Sequence, residues 1–182
     1  QTDATCNGGA DGSASVTATG GTGTLSYLWN DASAQTTAAA SGLVAGTYNV
    51  TITDANGCTT TQSATVGEPT ALTASATQTD ATCNGGADGS ASVTATGGTG
   101  TLTYLWDDNA AQTTASATGL SAGTYNVTIT DANSCTTTAS ATVAEPTALT
   151  ATTTLTDATC NGGADGSASV TATGGTGTLT YL

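Results

Sequence analysis

The sequence repeats itself every 77 residues, and this constrains the fold more than any single motif. Cys6, Cys83 and Cys160 are spaced by that interval, as are Trp29 and Trp106, Tyr48 and Tyr125, and Cys58 and Cys135. Thr79 to Leu105 recurs residue for residue as Thr156 to Leu182. A fixed period of this kind marks equivalent units set in series. The chain's two prolines and two glutamates fall at matching points, Glu68-Pro69-Thr70 and Glu145-Pro146-Thr147. Proline holds itself and the residue before it extended, so these triplets are read as joints. They divide the chain into residues 1–69, a module lacking its first strand, 70–146, a complete module, and 147–182, the N-terminal half of a third. On this reading the chain is an internal piece of a longer polypeptide.

Within a module the hydrophobic period is two. In Gly123-Thr124-Tyr125-Asn126-Val127-Thr128-Ile129-Thr130, large apolar residues alternate with Asn and Thr, the pattern of a strand with one buried face. Similar runs span Ala71 to Thr79, Ser90 to Thr96, Thr101 to Trp106, Thr113 to Thr118 and Cys135 to Val143. Gly-Gly, Asp-Gly, Asp-Asp-Asn and Asp-Ala-Asn-Ser turn signals separate them. Six or seven short strands per period with no helical segment predict an all-β fold of tandem immunoglobulin-like antiparallel β-sandwich modules.

Composition excludes most chemistry. There is no Lys, Arg or His, so the chain offers no imidazole base, no Schiff-base lysine and no serine–histidine or cysteine–histidine pair. The repeat reads as non-enzymatic. Thirteen acidic residues give a formal charge of -13, which makes nucleic acid and anionic membrane surfaces poor partners. Neither the low charged fraction, 7%, nor the two prolines suits a disordered chain.

The large apolar residues of one period are few, and a module of this size gains little from its core alone. Two cysteines per period, 52 residues apart, supply a further constraint. The expected bonds are Cys6 to Cys58 and Cys83 to Cys135, with the partner of Cys160 at position 212, beyond the chain. A bond from Cys58 to Cys83, spanning the joint at Pro69, is the alternative frame. Trp29 and Trp106 are expected in the core beside these disulfides, with Tyr48 and Tyr125 on the same face.

No catalytic or cofactor-binding residue is assigned. Asn84, Asp88, Asp131 and Asn133 could share a Ca²⁺ if a Cys83–Cys135 bond drew their loops together, but Asx and Gly also serve turns. Asp107 and Asp108 are adjacent carboxylates beside Trp106, but neighbours on a strand face opposite ways, so a solvated turn is the better reading than a glycosidase pair. Asn49-Val50-Thr51 and Asn126-Val127-Thr128 match the N-glycosylation acceptor.

The stretches Cys83-Asn84-Gly85-Gly86-Ala87-Asp88-Gly89-Ser90, Tyr104-Leu105-Trp106, Gly119-Leu120-Ser121-Ala122-Gly123-Thr124-Tyr125 and Val127 to Cys135, ending in Glu145-Pro146, resemble the SprB repeat. The resemblance extends over the whole chain. It implies tandem arrays in very large surface proteins of the Bacteroidota, including gliding adhesins, exported by type IX secretion and displayed extracellularly on the outer surface. It also implies neighbouring repeats, extracellular polysaccharide or substratum, and the secretion and gliding machinery of the envelope as partners. The loop Gly97-Gly98-Thr99-Gly100-Thr101 departs from the family, whose members commonly carry prolines there, and is expected to be more flexible. Two functions follow as expectations: a stalk and contact surface of a cell-surface adhesin, or a structural filament or sheath of laterally packed repeats.

Overall fold

The computed structural model describes all residues 1–182. Thirteen β-strands and no helix make up the chain. In the first period, β1 (Gly12–Ser15) pairs antiparallel with β3 (Ala39–Leu43), while β4 (Gly46–Thr53) lies between β2 (Ser26–Trp29) and β5 (Thr59–Val66). Ala14, Ala40 and Leu43 from the first sheet and Trp29, Val50, Ile52 and Val66 from the second close one buried cluster. Two sheets facing across a shared core form the immunoglobulin-like sandwich that the alternation predicts.

The β4 sequence shows why it pairs as it does. Val50 and Ile52 point inward and are buried, Tyr48 is half-buried on the same face, and Thr47 and Asn49 face out. Trp29 sits opposite Val50 in the register, is 2% exposed, and donates its indole N–H to the Thr37 carbonyl at 2.9 Å. That bond satisfies the one polar atom of the ring, so its burial leaves nothing unpaired. Tyr48 donates its hydroxyl to the Val44 carbonyl at 3.0 Å, pinning the chain where it enters the strand.

The second period repeats these elements. Strands β6 (Thr73–Thr79), β7 (Gly89–Thr96) and β9 (Ser116–Leu120) form one sheet; β8 (Thr103–Trp106), β10 (Gly123–Thr130) and β11 (Thr136–Val143) form the other. Gly89 pairs with Leu120 through the same register shift that Gly12 makes with Leu43. Trp106 is 1% exposed and donates to the Thr114 carbonyl at 2.9 Å, and Tyr125 donates to the Ser121 carbonyl at 3.0 Å. In the last stretch β12 (Thr150–Thr156) and β13 (Ser167–Thr173) form a hairpin. Val170 in it is exposed, whereas its equivalent Val93 is buried.

By contacts the chain has two compact units, which cut across the 77-residue period. One comprises Gln1–Ala74, Ala95–Thr103 and Ile129–Thr137, and the other Ser75–Thr94, Tyr104–Thr128 and Thr138–Leu182. The first unit contains an entire first-period sandwich together with the linker after Pro69 and one end of the second period.

Candidate functional site

The distinctive local structure of the first unit is where the end of one repeat meets the next. It begins with two turns. Asp131 opens the turn between β10 and β11 and accepts the backbone N–H groups of Asn133 at 2.9 Å and Cys135 at 2.8 Å on Oδ1, and that of Thr99 at 2.8 Å on Oδ2. Such bonding is what Asp offers a turn. The burial of this carboxylate pushes its pKa up, but the Thr99, Cys135 and Asn133 N–H donors outweigh it and hold the group below the ordinary carboxylate range. The equivalent Asp54 is lowered by the N–H groups of Thr22 and Cys58.

The other turn carries Cys6. Its neighbour Asn7 donates its side-chain amide to Glu68 Oε1 at 2.9 Å and to the Pro69 carbonyl at 3.1 Å, and the Gly8 N–H donates to Glu68 Oε2 at 2.6 Å. The Gly67 N–H in turn donates to Asp3 Oδ1 at 2.8 Å. The linker that follows is pinned as well. Gly98 donates its N–H to the Thr70 carbonyl at 3.0 Å, and a Cβ on Gly97 would stand 2.0 Å from the Ala71 carbonyl oxygen. Gly97 also has φ +83°, so both its conformation and its contact require glycine. The Gly97–Thr101 loop, expected to be flexible, is held between the linker and Asp131.

These turns meet. Cys6 is bonded to Cys135, with Cα atoms 5.7 Å apart, and Asn133 donates its side-chain amide to the Thr5 carbonyl at 2.9 Å. Cys58, Cys83 and Cys160 are free and exposed. The expected bonds Cys6–Cys58 and Cys83–Cys135 are therefore corrected, and the alternative Cys58–Cys83 does not form either. The reason is geometric. The Cys6 turn lies by the Gly46–Val66 end of the β4–β5 hairpin, through the Ala4 N–H to Gly67 carbonyl bond, whereas Cys58 sits in the connecting turn at the Thr53–Thr59 end. Eight residues of strand separate those ends by about 24 Å, far beyond the roughly 7 Å limit on Cα separation in a disulfide. Nor does Trp29 pack on a disulfide: the core cluster around it contains no cysteine.

The calcium candidates already have hydrogen-bond partners, the aspartates in their own turns and the asparagines on distant segments. Asn84 donates to Glu145 Oε1 at 2.8 Å and to the Pro146 carbonyl at 3.1 Å, and Asp88 accepts the Thr82 N–H at 3.1 Å and its hydroxyl. The Thr82 hydroxyl and N–H lower the Asp88 pKa. The Cys83–Cys135 bond that was to join Asn84 and Asp88 to Asp131 and Asn133 is absent, and no cluster of three or more His, Cys, Asp or Glu is placed to hold a metal. Asp107 and Asp108 do not act together: Asp107 accepts the Asn126 N–H and side-chain amide, both at 2.7 Å, while Asp108 accepts the Gln112 N–H at 3.0 Å and side-chain amide at 2.9 Å.

Sequence reasoning missed Glu68 and Glu145 as side chains, reading them only as neighbours of proline. The signal was present: each glutamate lies 61 residues after an Asn that follows a loop cysteine.

Fold and site define a tandem-repeat all-β protein whose Glu68, Asn7 and Asn133 side chains fasten loops of one period to the linker and the turn that follow. The family model of the SprB repeat matches residues 1–34, 75–111 and 152–182, more than half of the chain. The chain belongs to the SprB repeat family. No curated protein matches it significantly. Among solved structures, it is similar to one described under the structural basis for Dscam isoform specificity, with 14% identity, TM-score 0.34, and 66% of this chain and 38% of that one covered. The N-terminal eight Ig domains of DSCAM isoform 1.30.30 match with 13% identity, TM-score 0.36, and coverages of 87% and 23%. The chain thus spans less than half the length of either structure, and at these scores the likeness carries no argument about function.

Proposed function

We propose that this chain is part of the repeat region of a large secreted cell-surface adhesin. Its modules, bounded at 1–69, 70–146 and 147–182, act as an extended stalk and contact surface in adhesion or gliding motility. Its place is extracellular, at the outer surface, after type IX secretion. Its partners are neighbouring repeats of the same chain, the envelope machinery of secretion and gliding, and extracellular polysaccharide or substratum. The observation that carries this reading is the Cys6–Cys135 bond, which covalently ties one period to the next beside the Glu68–Asn7 contact. A stalk needs such continuity along the chain, because load passes through every joint in series. Strong like charge opposes side-by-side packing, which separates this reading from the filament or sheath.

Sedimentation at moderate salt of the purified chain with its three free thiols alkylated tests the proposal apart from any thiol linkage between copies. A monomer across a hundredfold range of concentration is expected. Ordered lateral assembly through edge strands, growing with salt as the like charges are screened, would move the assignment to the filament.

A further inference from the structure

The free thiols are of two structural kinds. Cys58, like Cys135, follows an Asp-Ala-Asn turn, whereas Cys83 and Cys160, like Cys6, sit in the Cys-Asn-Gly-Gly loop. The Cys83 loop is built as the Cys6 loop is. Asn84 and Gly85 hold Glu145 at 2.8 and 2.6 Å, against 2.9 and 2.6 Å for Asn7 and Gly8 on Glu68. The Gly175 N–H donates to the Thr147 carbonyl at 2.8 Å, as Gly98 does to Thr70. At the first joint a shallow cavity is lined by Cys6, Asn7, Ala71 and Leu72 on one side and by Ser134, Cys135 and Thr136 on the other. Its equivalent is bordered by Cys83, Asn84, Ala148 and Leu149.

We propose that the Cys83 loop is a docking site for the Asp-Ala-Asn-(Gly/Ser)-Cys turn of another repeat. Disulfides in an array of these repeats then run from the loop cysteine of one period to the turn cysteine of the next, 129 residues on, and none lies within a period. The occupant is this turn because it is what the equivalent loop holds, fixed by the Asn133 amide on the Thr5 carbonyl as well as by sulfur. In a solution of the chain alone, the occupant is the Cys58 turn of a second copy. Bond formation removes two protons and two electrons from the thiols and reduces one molecule of a small disulfide, such as oxidised glutathione, to two thiols.

The test is oxidation of the full chain at high concentration in a glutathione redox buffer, followed by non-reducing electrophoresis and peptide mapping. Covalent multimers are expected, with Cys58 joined to Cys83 or Cys160 of another copy and Cys6–Cys135 retained. Cys58→Ser, at an exposed position outside the core, is expected to abolish them, as is the double variant Cys83→Ser/Cys160→Ser. Multimers of Cys58→Ser equal in yield to the unaltered chain, like-with-like links such as Cys83 to Cys83, an intrachain Cys58–Cys83 bond, or an unaltered chain that stays monomeric would each overturn the proposal.

Discussion

The Glu68 carboxylate accepts the backbone N–H of Gly8 at 2.6 Å across 60 residues of sequence, and Glu145 accepts that of Gly85 at the same distance. Both bonds are charge-assisted and each fixes a cysteine loop against a proline linker. Glu145→Ala is expected to cost about 1 to 2 kcal/mol at this contact. Amide exchange at Gly85, measured by NMR, should accelerate about tenfold while exchange within β10 stays unchanged.

Acid should loosen the turns before the sandwiches. Asp31, Asp54, Asp88, Asp108, Asp131 and Asp165 all titrate below the ordinary value of 3.8 in the folded chain. A folded pKa below the unfolded one adds stability that is fully present above the unfolded value and lost as pH falls through the folded value. Tm is therefore expected to be flat from pH 8 to about 5 and to fall below about pH 4. Asp131→Asn should reduce the acid-dependent part, because an amide nitrogen facing the Thr99 N–H cannot accept from it. A Tm that changes between pH 6 and 7 would contradict this account, since the chain has no histidine.

Trp106 is 1% exposed with its indole N–H satisfied. Trp106→Ala is expected to cost about 3 to 5 kcal/mol by leaving a cavity and an unpaired Thr114 carbonyl. Urea denaturation followed by circular dichroism measures the loss.

Ser134 has φ +67°, in the left-handed region, at the position where the first period has Gly57 with φ +84°. Ser134→Gly should stabilise the turn by about 1 kcal/mol, less the added flexibility of the unfolded chain. The gain should appear as a higher Tm with the Cys6–Cys135 bond still formed.

Pulling the chain from its ends reads the disulfide directly. The bond shields the residues between Cys6 and Cys135 from load. Reduction is expected to release up to about 450 Å of additional contour length in single-molecule extension. A bond within a period would hide less than half as much.

The period, the strands and the buried aromatics were legible in the sequence because each is a local property. Tyr125, Val127 and Ile129 alternate with Asn126 and Thr128, and a pleated backbone places alternate residues on one face whatever surrounds the strand. The role of Asn84 was not legible. An exposed Asn in a glycine loop can bind a cation, cap a turn or reach another segment, and only the approach of Glu145, 61 residues on, selects among them. The Gly97–Thr101 loop misled for a similar reason: glycine permits flexibility and also close packing, and the Ala71 carbonyl decides for packing.

The sequence by itself determined a 77-residue unit, two cysteines in each and an all-β fold with one apolar face per strand. Tertiary structure alone decided which cysteines join. Closure entropy grows only with the logarithm of loop length, so a separation of 52 residues is favoured over 129 by about 0.8 kcal/mol, too little to dictate a pairing. The two cysteines of one period lie at opposite ends of a rigid hairpin, about 24 Å apart, a distance no side chain bridges. The turn of the following period brings Cys135 to Cys6, and that placement exists only once both periods are folded.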